Sequence, residues 1–229
     1  MKQTTIDFLN KQGLQFFGSV NASISHELKN IFAIISETSG FLNDLTQLSK
    51  QGKKLEVSLL ENCSKSISEE IERGFDTIRQ MNRFAHSVDD PVRETNILDT
   101  LTLTVKLTGF LSFAKKTDID ETAEDGTVFT SQFLLQTLLY KTLSALYQAL
   151  DSGDQITLTT SFRDTDPSGV TVVFSHGRQA GFTDFPDKLT AGTADALQAE
   201  FKETDTGLEL FIPRTNDELA DALADGTTE

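Results

Sequence analysis

The residues with the clearest capacity for chemistry sit together in Ser23-Ile24-Ser25-His26-Glu27-Leu28-Lys29-Asn30. An imidazole titrating near about 6.5 is mostly neutral at neutral pH, so one ring nitrogen of His26 keeps a lone pair for attack while the other holds a proton. Glu27 brings a hydrogen-bond acceptor, Lys29 a cation and Asn30 an amide that both donates and accepts. Spacing alone does not separate a reactive imidazole from a merely solvated one. The geometry that the flanking residues impose therefore matters.

Those residues fall in a helical pattern running from about Leu14 to about Leu48. Phe17, Ile24, Leu28, Ile31, Ile35, Leu42 and Leu45 recur at the three-and-four spacing of a helix and form one apolar stripe. His26 lies two residues past Ile24, about 200° around the axis, so its ring faces water. Lys29 and Asn30 follow one turn on along the same side. A second apolar row of Phe16, Val20, Ile34, Phe41 and Leu48 widens the face beyond what one neighbouring helix can cover. Ser49 to Lys54 reads as a turn. A second long helix from about Leu55 to Val88 carries Leu60, Cys63, Ile67, Ile71, Phe75, Ile78, Met81 and Ala85 near heptad spacing. The product is an antiparallel hairpin, and two hairpins side by side make a four-helix bundle with a filled centre. A bundle completed within one chain would need further helices from the second part. Asp89-Asp90-Pro91 ends the second helix, because proline lacks the N–H and restricts the residue before it. Domain boundaries of 1–90 and 91–229 follow.

The string from His26 to Asn30 resembles the phosphoacceptor box of sensor histidine kinases, a His-Glu-Leu-Lys/Arg-Asn/Thr run followed by apolar residues, here Ile31, Phe32, Ile34 and Ile35. It departs from that box at Ile31, where the family usually has proline, so less of a kink is expected. The resemblance implies a dimeric hairpin. It also implies catalytic roles for His26 as the nucleophile, Glu27 as the partner of the imidazole, Lys29 as a cation for phosphoryl charge, and Asn30 as a holder of a water or a phosphoryl oxygen.

Beyond residue 91 the periodicity changes. Asn96 caps a helix through Ile97 to about Ala114, a short strand surrounds Thr117 to Glu121, and Ser131 caps a helix through Leu150. Gln155 to Phe162 alternates as a half-buried strand with a hairpin partner from Gly169 to Phe174. A helix is expected near Ala194 to Ala199, a closing hairpin of 201–204 and 208–212 around Asp205-Thr206-Gly207, and an acidic helix from Asn216 to Ala224. The fold class is therefore α+β: a helical hairpin forming a dimeric four-helix bundle, then an α/β sandwich with helices on one face of a mixed sheet.

That second part resembles the ATP-binding domain of histidine kinases with its binding residues replaced. The family places an asparagine for magnesium on the helix before the central hairpin; Leu138 to Leu146 contains none. The family's aspartate-glycine box, whose acid accepts the adenine amino group, falls at Ser175-His176-Gly177-Arg178-Gln179-Ala180-Gly181, which has no aspartate. Its second glycine-rich run is reduced to Asp205-Thr206-Gly207-Leu208-Glu209-Leu210, where the carboxylates repel a triphosphate. An intact acceptor helix beside a degenerate nucleotide site resembles the histidine phosphotransferases of phosphorelays, of the ChpT type and of the sporulation relay. The resemblance implies that His26 passes a phosphoryl group between the aspartates of response regulator receiver domains, with a hybrid histidine kinase as a further partner. No cofactor is expected on this chain itself, and magnesium is expected on the receiver. An atypical autokinase and a non-catalytic dimeric module that binds a regulator or kinase are the alternatives.

Composition bounds these readings. With 38% hydrophobic and 24% charged residues in 229, the chain has enough apolar material for one large or two modest cores and is not of disordered type. Residues 1–94 hold 11 Lys/Arg against 13 Asp/Glu, whereas residues 95–229 hold 9 against 22. Such an acidic second part disfavours nucleic acid and anionic membrane as partners. No run approaches the roughly 18 apolar residues of a membrane span, and Met1 to Thr5 lacks a signal segment, so a cytoplasmic location is expected. One cysteine, Cys63, on an apolar stripe is expected to be a buried small hydrophobe.

Overall fold

The computed structural model describes residues 3–109, 116–120, 122–151, 153–165, 168–176 and 185–216, with side chains from residue 11 onward apart from Arg163. Helix α1 spans Gln3–Lys50 and α2 spans Val57–Ala85, followed by one 3₁₀ turn at His86–Val88. α1 closes through a glycine cap. Gly52 takes φ of +83°, its N–H bonds the Ser49 carbonyl at 2.9 Å, and the Lys53 N–H bonds that of Leu48 at 3.1 Å. This left-handed residue reverses the chain at little cost because it lacks a Cβ. At the other end Thr4 to Gly13 reads as a leading segment of the same helix, and α1 runs unbroken through Gly13. A Cβ there would lie 2.7 Å from the Phe133 ring, so the glycine that weakens helix propensity is what lets that ring approach.

Two compact units arise from this chain, one of residues 20–83 and one of residues 1–19 together with 84–229. The first is the hairpin. Ile24, Ile31 and Leu45 of α1 and Cys63 of α2 are buried in it, and a Cβ on Gly74 would touch Ile31 at 3.7 Å. Leu28, Ile35, Leu42 and Ile67 are half-buried. Phe32, Phe41, Leu60, Ile71, Phe75, Ile78 and Met81 are exposed, so much of the heptad stripe on α2 faces outward.

In the other unit, β1 (Arg93–Asn96) pairs antiparallel with β3 (Thr127–Thr130), with Arg93 opposite Thr130. Neither four-residue strand was expected, because their mostly polar residues carry no apolar alternation long enough to read. Between them run α3 (Ile97–Thr108) and β2 (Lys116–Ile119). Asn96 caps α3 as its type predicts, with its side chain accepting from the Asp99 N–H at 2.8 Å. The helix ends at Thr108 rather than near Ala114. Helix α4 (Gln132–Ala149) begins after Ser131, whose hydroxyl makes no capping bond.

The main sheet has the order β2, β4 (Gln155–Arg163), β5 (Gly169–Ser175), β7 (Gly207–Pro213), β6 (Glu200–Thr204). Only β2 with β4 is parallel; the other pairs are antiparallel. Leu158, Phe174 and Leu208 lie in one row across the strands, and Thr160, Val172 and Leu210 in the next. These alternate residues are buried in one core with Ile97 and Leu101 of α3, Leu135, Leu138, Leu139 and Leu143 of α4, and Ala194. Their neighbours Thr157, Thr159, Thr171 and Val173 point the other way and are only half-buried, which is the pattern of a sheet with helices on one face. Helix α5 covers Lys188–Ala196, earlier than expected, because the Asp187 side chain accepts from the Thr190 N–H at 2.7 Å and starts it there. From Asp217 onward the expected acidic helix lies outside the described residues. The fold is α+β, a helical hairpin followed by a mixed-sheet domain.

The start of α1 belongs to this unit through an aromatic cluster. Phe16 is 1% exposed, and its ring centroid lies 5.2 Å from Phe84, 5.7 Å from Phe133 and 4.8 Å from Tyr140. Here a residue expected in the second apolar row of the hairpin helix finds two partners on α4 and a third, Phe84, at the end of α2.

Candidate functional site

The outward face of α1 presents the four residues singled out from the sequence. Ile24 and Ile31 are buried toward α2, which turns His26, Lys29 and Asn30 to solvent and leaves Glu27 and Leu28 half-buried. One helical turn separates His26 from Asn30, and the Asn30 amide Nδ2 lies 3.2 Å from the imidazole Nδ1. The contact works in two senses. With the amide nitrogen toward the ring, Nδ1 accepts and the ring hydrogen sits on Nε2. With the amide turned half a rotation, Oδ1 accepts from Nδ1–H and Nε2 keeps the lone pair, directed away from the helix backbone.

Glu27 does not reach the imidazole. Its Oε1 accepts from Arg73 Nε at 2.9 Å and Nη2 at 2.5 Å, across the hairpin on α2. Arg73 Nη1 in turn meets both oxygens of Glu70, at 3.2 and 3.1 Å. The hydrogen bonds that Arg73 donates to Glu27 raise its pKa, burial opposes that shift, and the charges of Glu27 and Glu70 add to the rise, so the guanidinium is permanently charged. Arg73 was not among the residues expected at the site. Its place depends on the register of the two helices, and the available clue was that Glu27 and Arg73 lie at comparable distances along the chain from the Gly52 turn. Lys29 is exposed and makes no ion pair among the described residues.

In the mixed-sheet unit, α4 directs Leu138, Leu139, Leu143 and Leu146 into the core, leaving Lys141, Ser144 and Gln148 among its outward positions. At the end of β5, where the family's adenine-reading aspartate was sought, His176 is 6% exposed and its N–H bonds the Thr206 carbonyl at 3.0 Å. Burial lowers its pKa and the nearby charge of Asp154 opposes that shift, so a neutral imidazole is favoured where an acid was sought. Residues 177–181 of that stretch lie outside the described residues. Asp205 and Thr206 form the turn between β6 and β7. A Cβ on Gly207 would lie 1.9 Å from the Phe174 carbonyl oxygen, so this glycine permits the close pairing of β5 and β7. Among the described residues no three His, Cys, Asp or Glu side chains are grouped to hold a metal ion, and no helix is long and apolar enough to cross a membrane.

The chain is similar to solved histidine kinase structures. Acinetobacter baumannii histidine kinase AdeS matches at 11% identity over 83% of this chain and 98% of that one, with a TM-score of 0.44. The histidine kinase domain of the Erythrobacter litoralis blue-light activated histidine kinase EL346 matches at 15% over 94% and 99%, TM-score 0.43. The cytoplasmic segment of histidine kinase QseC matches at 14% over 62% and 93%, TM-score 0.40. No protein-family description and no curated protein matches the sequence.

Proposed function

We propose that the chain is a histidine phosphotransferase of a phosphorelay, with His26 as the residue that is transiently phosphorylated. The observation that carries this reading is an exposed imidazole whose Nδ1 meets the Asn30 amide at 3.2 Å. With the Asn30 amide turned so that Oδ1 accepts from Nδ1–H, Nε2 attacks the phosphorus of a receiver's aspartyl phosphate. The new N–P bond forms as the P–O bond to the aspartate breaks, and the carboxylate leaves with the electron pair. The ring acquires positive charge that Asn30 Oδ1 stabilises. A second receiver aspartate reverses the step. Lys29 offsets the charge of the phosphoryl group in transit, and the receiver brings the magnesium.

On this reading the mixed-sheet domain holds no nucleotide. Its α4 offers Lys141, Ser144 and Gln148 where a magnesium-holding asparagine would be needed, and His176 stands where an adenine-reading acid would be needed. The acidic domain serves recognition, limiting which receivers approach His26. Two hairpins pair into a dimeric bundle, a reading supported by the outward row of Leu60, Ile71, Phe75, Ile78 and Met81 on α2. The test is transfer of label from purified, phosphorylated receiver domains to the full chain and to its His26→Ala variant. Acid-labile label on the wild-type chain alone supports the assignment, and label retained by the variant removes it.

A further inference from the structure

We infer that His86, paired with Asp89, is a second nucleophilic imidazole of this chain, one that takes a phosphoryl group at Nε2 from a small acyl phosphate. It opens the 3₁₀ turn that follows α2 and belongs to the unit of residues 1–19 and 84–229, not to the one that holds His26. His86 Nδ1 lies 2.7 Å from Asp89 Oδ2. An ionised carboxylate only accepts, so the contact settles the tautomer: Nδ1–H donates and the lone pair stays on Nε2. The Asn30 amide beside His26 allows two senses of hydrogen bond, whereas the carboxylate here allows one. With the His86 side chain 72% exposed, the ring is open to a small electrophile.

The turn that carries the pair is fixed from beneath. Phe84 is buried with its ring against Phe16 and Phe133, and the buried Ser87 hydroxyl donates to the Phe84 carbonyl at 2.7 Å. Residues 84 and 87 are thus held inward while 86 and 89 stay exposed on the same short turn. As a source of stability the pair is weak, because the Asp89 side chain is 58% exposed as well. Its consequence is chemical. As the N–P bond forms at Nε2, the bond from phosphorus to the acyl oxygen breaks and the carboxylate leaves with the electron pair. The ring keeps its Nδ1 proton and gains a positive charge, which Asp89 offsets without having to reorganise. Asp90 places a further exposed carboxylate next in the chain, so a bare phosphate dianion is repelled. The magnesium complex of acetyl phosphate carries no net charge and is not.

The test incubates the full chain and its His26→Ala variant with acetyl phosphate and magnesium at neutral pH, and maps phosphohistidine by peptide mass spectrometry. Label on His86 is expected in both, so the result does not depend on the role of His26. Asp89→Asn, which keeps an acceptor but not the charge, should slow this labelling about 3-fold and Asp89→Ala about 10-fold, the worth of one hydrogen bond to a charged group. The isomer formed is a readout that a merely structural role would not move. Phosphorus NMR should show His86 phosphorylated at Nε2 alone in the wild-type chain, and Asp89→Ala, which frees the tautomer, should add the Nδ1 isomer. Unchanged urea midpoints in both variants separate a lost rate from a lost fold. No label on His86, a rate indifferent to Asp89→Ala, or an Nδ1 product in the wild-type chain overturns the inference. Any of these leaves the phosphotransferase reading standing, because the peptides of His26 and His86 are read separately.

Discussion

Replacing Phe16 by alanine tests whether the first turns of α1 are anchored in the core of the mixed-sheet unit. The ring is 1% exposed and packs against Phe84, Phe133 and Tyr140 with centroids 5.2, 5.7 and 4.8 Å away. Truncating a buried phenylalanine costs about 3–5 kcal/mol, and the middle of that range, about 4 kcal/mol, is taken for a ring with three aromatic contacts. That is a large share of the roughly 5–15 kcal/mol by which a domain is stable. The assay is built into the sequence. The chain has no tryptophan and two tyrosines, Tyr140 in contact with Phe16 and Tyr147 buried in the same unit, so tyrosine fluorescence in urea reports on this unit alone. With a slope of about 2 kcal/mol/M the midpoint should fall by about 2 M. Leu14→Ala, at a side chain 74% exposed on the same helix, should change stability by less than about 0.5 kcal/mol. A midpoint shift below about 0.5 M for Phe16→Ala would refute the anchoring and with it the membership of residues 1–19 in this unit.

Three further outcomes are expected. Asn30→Ala should slow phosphoryl acceptance by about 10-fold, the worth of one hydrogen bond made in the transition state, while Asn30→Asp, which can only accept from Nδ1–H, should keep it; equal loss in both would remove the tautomer argument. Stability should fall with acid through His176: burial lowers its folded pKa, the unfolded chain binds the proton more readily, and the contribution present above about pH 6.5 is lost as pH drops toward the lowered folded value. Tyrosine-monitored urea midpoints at pH 7.5 and 5.5 should differ by less in His176→Asn, and an unchanged difference would contradict this. Light scattering should give about twice the chain mass of 25.2 kDa at micromolar concentration, and Ile71→Asp, placing charge in the exposed α2 row, should yield a monomer.

Much of this fold was legible because its signals are periodic. The three-and-four spacing in the hairpin helices and the strict alternation of Gln155 to Phe162 survive without knowledge of partners, and Asn96 declares its cap through local chemistry. The elements that escaped depend on distant chain. β1 and β3 exist through each other, α5 starts at an aspartate that no apolar run announces, and the fate of Phe16 is decided by α4. The same divide runs through the candidate site. Exposure of His26, Lys29 and Asn30 followed from helix geometry, and Asn30 reaches the ring because one turn separates them. Expecting Glu27 to partner the imidazole considered only its neighbour in sequence; a guanidinium across the hairpin outcompetes a ring that points elsewhere.

The most direct measurement offers the full chain two phosphoryl sources side by side: labelled ATP with magnesium alone, and labelled, phosphorylated receiver domains freed of nucleotide. Acid-labile label mapped to the peptide containing His26 from a receiver, with none from ATP, is the result the account predicts. Label on His26 from ATP alone would contradict it and make the chain an autokinase.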